Sequence, residues 1–180
     1  LYAFERASGK VALLTSSQAK LDGSNSDIAF PALSANGSTA GFMSFASDLV
    51  AGDDKGVNDV VVVPTSGLGL VTLVSVPDPG AASSTANNRS DFVGGNMSAD
   101  GRYVVFTSAA TDLVPIDDNG QGDVFLRDRR SGMTRVVSVS EDGIHPMAGG
   151  GDLAPAGSVY PNLGITADGK TVAFTANLTN

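Results

Sequence analysis

The chain has 180 residues, 42% of them hydrophobic and 17% charged, with a net charge of −8; this is the composition of a globular chain, not a disordered one. So acidic a surface repels nucleic-acid phosphates and lacks the basic cluster that an anionic membrane attracts, so no nucleic-acid partner is expected. There is no Cys, which excludes disulfides and thiolate metal sites, and no apolar run approaches the roughly 20 residues of a membrane span, so no membrane insertion is expected.

The first residues, Leu1-Tyr2-Ala3-Phe4-Glu5-Arg6, show no basic n-region ahead of an apolar core, so no signal peptide is read here. Leu1 to Ser16 matches Val124 to Val139 at a constant offset of 123, with Ala7-Ser8-Gly9 falling on Arg130-Ser131-Gly132. An internal repeat therefore runs through the chain, and its phase sets the architecture. The phrases Ser34-Ala35-Asn36-Gly37, Ser98-Ala99-Asp100-Gly101 and Thr166-Ala167-Asp168-Gly169 recur at steps of 64 and 68 residues. Each precedes a β-rich run centred on Phe42, Phe106 or Phe174. Asp48-Leu49-Val50 matches Asp112-Leu113-Val114, Asp53 matches Asp117, and Asp59-Val60 matches Asp123-Val124. Ser66-Gly67 then matches Ser131-Gly132, and Val74-Ser75-Val76 matches Val137-Ser138-Val139.

One unit, from Phe92 to Val139, shows the plan. A first strand leads to a tight turn at Asp100-Gly101, where Gly supplies positive φ. Tyr103 to Thr107 is the second strand, Val124 to Arg127 the third, and Thr134 to Val139 the fourth, with a turn over Arg129-Arg130-Ser131-Gly132. No stretch has a convincing helical period. The expected fold is all-β, in β-propeller blades of four antiparallel strands, with almost no helix. Residues 28–78 and 90–140 make two full blades; residues 1–20 supply the third and fourth strands of a split blade, and 158–180 the first and second. Rings of this kind need about four to eight blades. Either the chain is a segment of a longer one, or copies complete each other head to tail, as a closed ring or a filament.

The acidic loop Asp117-Asp118-Asn119-Gly120-Gln121-Gly122-Asp123 is the best candidate for chemistry. Oxygen ligands at alternate positions, a Gly for a sharp turn and a closing carboxylate suit Ca²⁺. Asp117, Asn119 and Asp123 are the side-chain ligands, with the Gln121 carbonyl as a fourth oxygen. The loop is shorter than an EF-hand and lacks its Glu; an acidic surface loop held by Asx-turns is the alternative. In the matching loop Asp53-Asp54-Lys55-Gly56-Val57-Asn58-Asp59, Lys55 replaces Asn119. That loop is expected to bind Ca²⁺ weakly or not at all, the lysine serving as a tethered counter-charge.

Asp100, Asp168 and Asn36 read as turn caps, and Asp48 and Asp112 as acceptors for nearby backbone. Arg127, Asp128, Arg129 and Arg130 form a charged hairpin, read as a surface or inter-blade salt bridge. Catalytic signatures are missing: His145 is the only His and lies in a loop-like segment, and there is no nucleophile elbow, Walker loop or dinucleotide fingerprint. Gly149-Gly150-Gly151-Asp152 reads as a linker. The chain is expected not to be an enzyme.

The run Ser98-Ala99-Asp100-Gly101-Arg102-Tyr103-Val104-Val105-Phe106-Thr107-Ser108, with Asp112-Leu113-Val114, Asp117, Asn119-Gly120 and Asp123-Val124-Phe125-Leu126-Arg127-Asp128, resembles the TolB-type, WD-repeat-like β-propeller repeats of bacteria. The resemblance covers essentially the whole chain. It is looser in the first full unit, where Pro64-Thr65 stands in place of Asp-Arg. It implies a propeller of about six or seven blades in an extracellular or periplasmic protein, acting as an interaction platform or beside a hydrolase. The expected function is thus a module that binds a protein, peptide or glycan, with the long loop from Ser140 to Tyr160 as a candidate binding loop. The alternatives are an accessory domain of a larger hydrolase or peptidase, and a self-assembling structural protein.

Overall fold

In a computed structural model the described residues are 1–16, 24–53, 55–67, 70–79, 84–92, 94, 96–141, 143, 145–147 and 163–175. All regular structure among them is β, with no helix. The strands are β1 (Tyr2–Glu5), β2 (Lys10–Leu13), β3 (Ile28–Leu33), β4 (Thr39–Ser44), β5 (Asp59–Pro64), β6 (Thr72–Leu73), β7 (Ser90–Asp91), β8 (Tyr103–Ser108), β9 (Asp123–Asp128), β10 (Met133–Val136), β11 (Gly164–Ile165) and β12 (Val172–Ala173). They form two four-stranded antiparallel meanders, β3-β4-β5-β6 and β7-β8-β9-β10, and two hairpins, β1-β2 and β11-β12.

Side chains matched by the repeat explain the strand ends. Ser75 Oγ accepts the Val60 N–H and donates to Asp59 Oδ1, and Ser138 Oγ does the same for Val124 and Asp123. One hydroxyl thus ties the start of a third strand to the segment that follows it across the sheet. Asp48 Oδ1 accepts the Asn25 N–H and Asp112 Oδ1 the Asn87 N–H, closing the loop after each second strand. The turns are capped as residue chemistry demands: Asn36, Asp100 and Asp168 accept the N–H of Ser38, Arg102 and Lys170, respectively.

The first strands depart from regular geometry. β3 shifts register between Ala29 and Ala32, around Pro31, with Phe30 at φ 53°. Pro31 is tolerated because β3 is an edge strand. Among the described residues, the first strand of the second meander is Ser90–Asp91, with a bridge from Met97 to Val104. Gly94 sits at φ 80° between them, and the Phe92 ring is buried against Gly41 of the first meander, where an added Cβ would lie 3.0 Å from it.

The core is made between sheets. In β5 the side chains of Val60 and Val62 join Phe92, Val104, Phe106 and Phe125 of the second meander. Val61 and Val63 join Phe42 and Leu14 on the opposite face, with Leu1, Ala3 and Ala12 of the N-terminal hairpin packed against them. Both faces of β5 are therefore buried, which is why four valines in succession suit it.

Adjacent sheets are also joined turn to turn. The Asn36 N–H donates to the Ala99 carbonyl and the Ala99 N–H to the Ala167 carbonyl, at 3.0 and 2.8 Å. Thr39 packs on Gly101, and Tyr103 on Gly169.

Candidate functional site

The acidic loop between β8 and β9 brings three of its four predicted residues together. Asp123 is completely buried; its Oδ1 accepts the Ser138 hydroxyl and its Oδ2 the Asn119 amide, at 2.8 Å for the latter. The same Asn119 amide nitrogen donates to the Met147 carbonyl at 2.9 Å. Asn119 Oδ1 accepts the Gln121 N–H at 2.8 Å, an Asx-turn. Gln121 enters through that N–H and is exposed. Both carboxylate oxygens of Asp117 are buried with no hydrogen-bond partner. Burial, and then the charges of Asp123 and Asp118, push the Asp117 carboxyl up to about 6. Asp118 points outward and meets His145 Nδ1 at 3.2 Å, both side chains exposed.

The matching loop before β5 differs where the sequence differs. Lys55 Nζ donates to the Thr85 carbonyl at 2.7 Å and lies 3.9 Å from Asp112 Oδ2. Asp59 is 1% exposed with Oδ2 unpartnered. Burial pushes its carboxyl up to about 6 although the Ser75 hydroxyl and the Lys55 charge pull the other way. Asp54 lies outside the described residues. Among the described residues no three His, Cys, Asp or Glu side chains gather as a metal-holding group; any cation in the second loop would depend on amide and carbonyl oxygens beside two carboxylates.

The charged hairpin after β9 works between elements. Asp128 receives both Nε and Nη2 of Arg102, at 2.9 and 2.7 Å, which holds its carboxyl well below the usual range. Arg127 reaches Thr134 Oγ1 and the Val76 and Pro77 carbonyls of the neighbouring meander, and Arg129 reaches the Gly101 carbonyl. The hairpin's arginines thus bind carbonyls more than they form ion pairs.

A second feature was not read from the sequence. Beside β1-β2 opens a cleft of about 990 Å³, lined among others by Tyr2, Phe4, Val11, Leu33, Gly37 and Thr65. Tyr2 is 69%, Phe4 66% and Val11 64% exposed. The repeat offset places Tyr2 on Phe125, which is 0% exposed. Phe125 is buried because β9 lies between β8 and β10 and faces the first meander; among the described residues β1 pairs with β2 alone. The internal offset of 123 was the signal that would have found this cleft.

Residues 148–162, which hold most of the Ser140 to Tyr160 loop and the Gly149-Gly150-Gly151-Asp152 run, lie outside the described residues. No family model matches the chain, and no curated protein matches it.

Proposed function

We propose that the chain is a non-catalytic β-propeller module that binds a polypeptide partner by strand addition at β1, with a second copy of the chain as the partner. The observation that carries this is the exposed Tyr2 at a position whose repeat equivalent, Phe125, is fully buried. A propeller is supported by the two four-stranded meanders in sequence order, packed face to face through cores that alternate along β5. A polypeptide suits the edge better than a glycan, because a sheet edge offers N–H and C=O groups at strand spacing. The TolB-type resemblance adds the proposal of an extracellular or periplasmic setting.

The repeat phase names the strand that fits. β8 pairs with β9 through Val104↔Arg127, Val105↔Leu126, Phe106↔Phe125 and Thr107↔Val124. Carried over by the repeat, this gives Val172 opposite Phe4, Ala173 opposite Ala3, Phe174 opposite Tyr2 and Thr175 opposite Leu1. Thr171 would then reach the open seat on Gly37, where nothing lies within 4 Å, as Thr39 fills the seat on Gly101.

Because the chain has no Cys, the register can be tested by oxidation. Ala3→Cys combined with Ala173→Cys should give disulfide-linked chains on a non-reducing gel, and Ala3→Cys with Thr171→Cys should not. A chain that light scattering finds monomeric at every concentration, with no linked species from the first pair, overturns the self-pairing.

A further inference from the structure

We propose that the loop Asp117 to Asp123 is a Ca²⁺ site, seated where the equivalent loop of the first meander carries the ammonium of Lys55. This does not depend on the strand-addition reading. Two buried carboxylates lie in the loop. Those of Asp123 are met by the neutral Ser138 hydroxyl and Asn119 amide. Those of Asp117 are met by no hydrogen-bond donor, although both oxygens are buried. A buried carboxylate without a partner is strongly unfavourable, and a bound cation removes the penalty directly.

The repeat supplies an internal control. Lys55 occupies the position of Asn119, and its Nζ donates to a carbonyl in the segment after the fourth strand, that of Thr85. Asn119 Nδ2 donates to a carbonyl of the corresponding segment, that of Met147. In the first loop a positive charge therefore sits in the chain, and its field acts on Asp59. The second loop keeps both carboxylates and exchanges that charge for a neutral amide. His145 does not restore it, since its ring meets the exposed Asp118.

The ligand chemistry is all oxygen. Asp123 Oδ2 and the Met147 carbonyl both accept from the Asn119 amide nitrogen, and the unpartnered Asp117 carboxylate of the same loop lies within reach of the Asp123 charge. Turning that amide over gives up the Gln121 N–H bond to Oδ1 and presents Oδ1 in place of Nδ2 to the cation, with small steric consequence because the two atoms are nearly the same size. Carboxylate, amide and backbone oxygens, completed by water, are the donor set of Ca²⁺, which accepts irregular geometry more readily than Mg²⁺.

Calorimetry with CaCl₂ on the whole chain should show one Ca²⁺ bound per chain, and the melting temperature should rise by about 5 °C between chelator and saturating Ca²⁺. Asn119→Lys copies the first loop. It should abolish the calorimetric signal while melting no lower than the original chain in chelator. Lys55→Asn makes the reverse exchange and should raise the stoichiometry towards two. An original chain that shows neither heat nor a melting shift overturns the site, and so does an Asn119→Lys variant that binds Ca²⁺ as before.

Discussion

Asp59 and Asp123 hold the same place in the two meanders, each buried and locked to a serine across the sheet, and burying a carboxylate is unfavourable. For Asp59 the cost can be read through pH. Its carboxyl titrates near 6 in the folded chain, against 3.8 for the unstructured side chain. The folded state therefore keeps this proton to higher pH than the unfolded state does. The stabilisation is complete below about pH 4, is lost as pH rises from there to about 6, and stays lost above. A shift of this size corresponds to about 2–3 kcal/mol. Asp59→Asn retains an oxygen for the Ser75 hydroxyl and carries no charge. It should flatten the fall in unfolding free energy between pH 4 and 7 by that amount, measured by urea denaturation at each pH. An unchanged pH slope would place the cost elsewhere. The presence of acidic residues at these loops was legible in the sequence; that Asp117 is the one left without a donor was not, because hydrogen-bond satisfaction depends on which segment folds over the loop.

At the scale of elements, the Ser/Thr-x-Asp/Asn-Gly turns do two jobs. The glycines at 37, 101 and 169 all adopt positive φ, between 70° and 73°. That was readable from the turn phrase. Their second job is to let the neighbouring sheet approach, and only the assembled sheets reveal it. An added Cβ on Gly101 would lie 2.7 Å from Thr39 Oγ1, whereas one on Gly37 meets nothing within 4 Å. In the unassociated chain Gly37→Ala should cost about 1 kcal/mol, the price of positive φ for an L-residue. Gly101→Ala should cost a further ~1–2 kcal/mol for overpacking. Denaturant unfolding of the two variants checks the difference; equal losses would show that the turn–sheet contact yields freely. Phe92 reads as a strand residue, yet it lies just past β7 with its ring buried in the core against Gly41, a contact that only the assembled sheets supply.

The whole chain is a set of sheets that bury one another, so the cost of a substitution follows a residue's place in the stack more than its type. Phe125 and Tyr2 are equivalent by repeat. Phe125 stacks on Phe106 with ring centroids 5.7 Å apart and is fully buried. Phe125→Ala should cost about 3–5 kcal/mol. Tyr2→Ala should change the stability of a single chain by less than about 0.5 kcal/mol, but weaken association between chains. Thermal unfolding at low concentration, paired with light scattering at high concentration, separates the two effects. Association unaffected by Tyr2→Ala would remove the outer face of β1-β2 from the interface.

By itself the sequence determined the β character, the repeat and its phase, the turn residues and the positions of the acidic loops. These are local matters, set by β-branched runs, glycine conformations and side chains that reach only a few residues along the chain. Tertiary structure alone decided which faces are covered: that β5 is buried on both sides, that Arg127 reaches the carbonyls of the neighbouring sheet, that Asp117 is shut away from donors, and that the face of Tyr2 and Phe4 is open. Burial is a property of what arrives from far along the chain, and a repeat assigns equivalent residues to equivalent strands without saying which of them will have a neighbour.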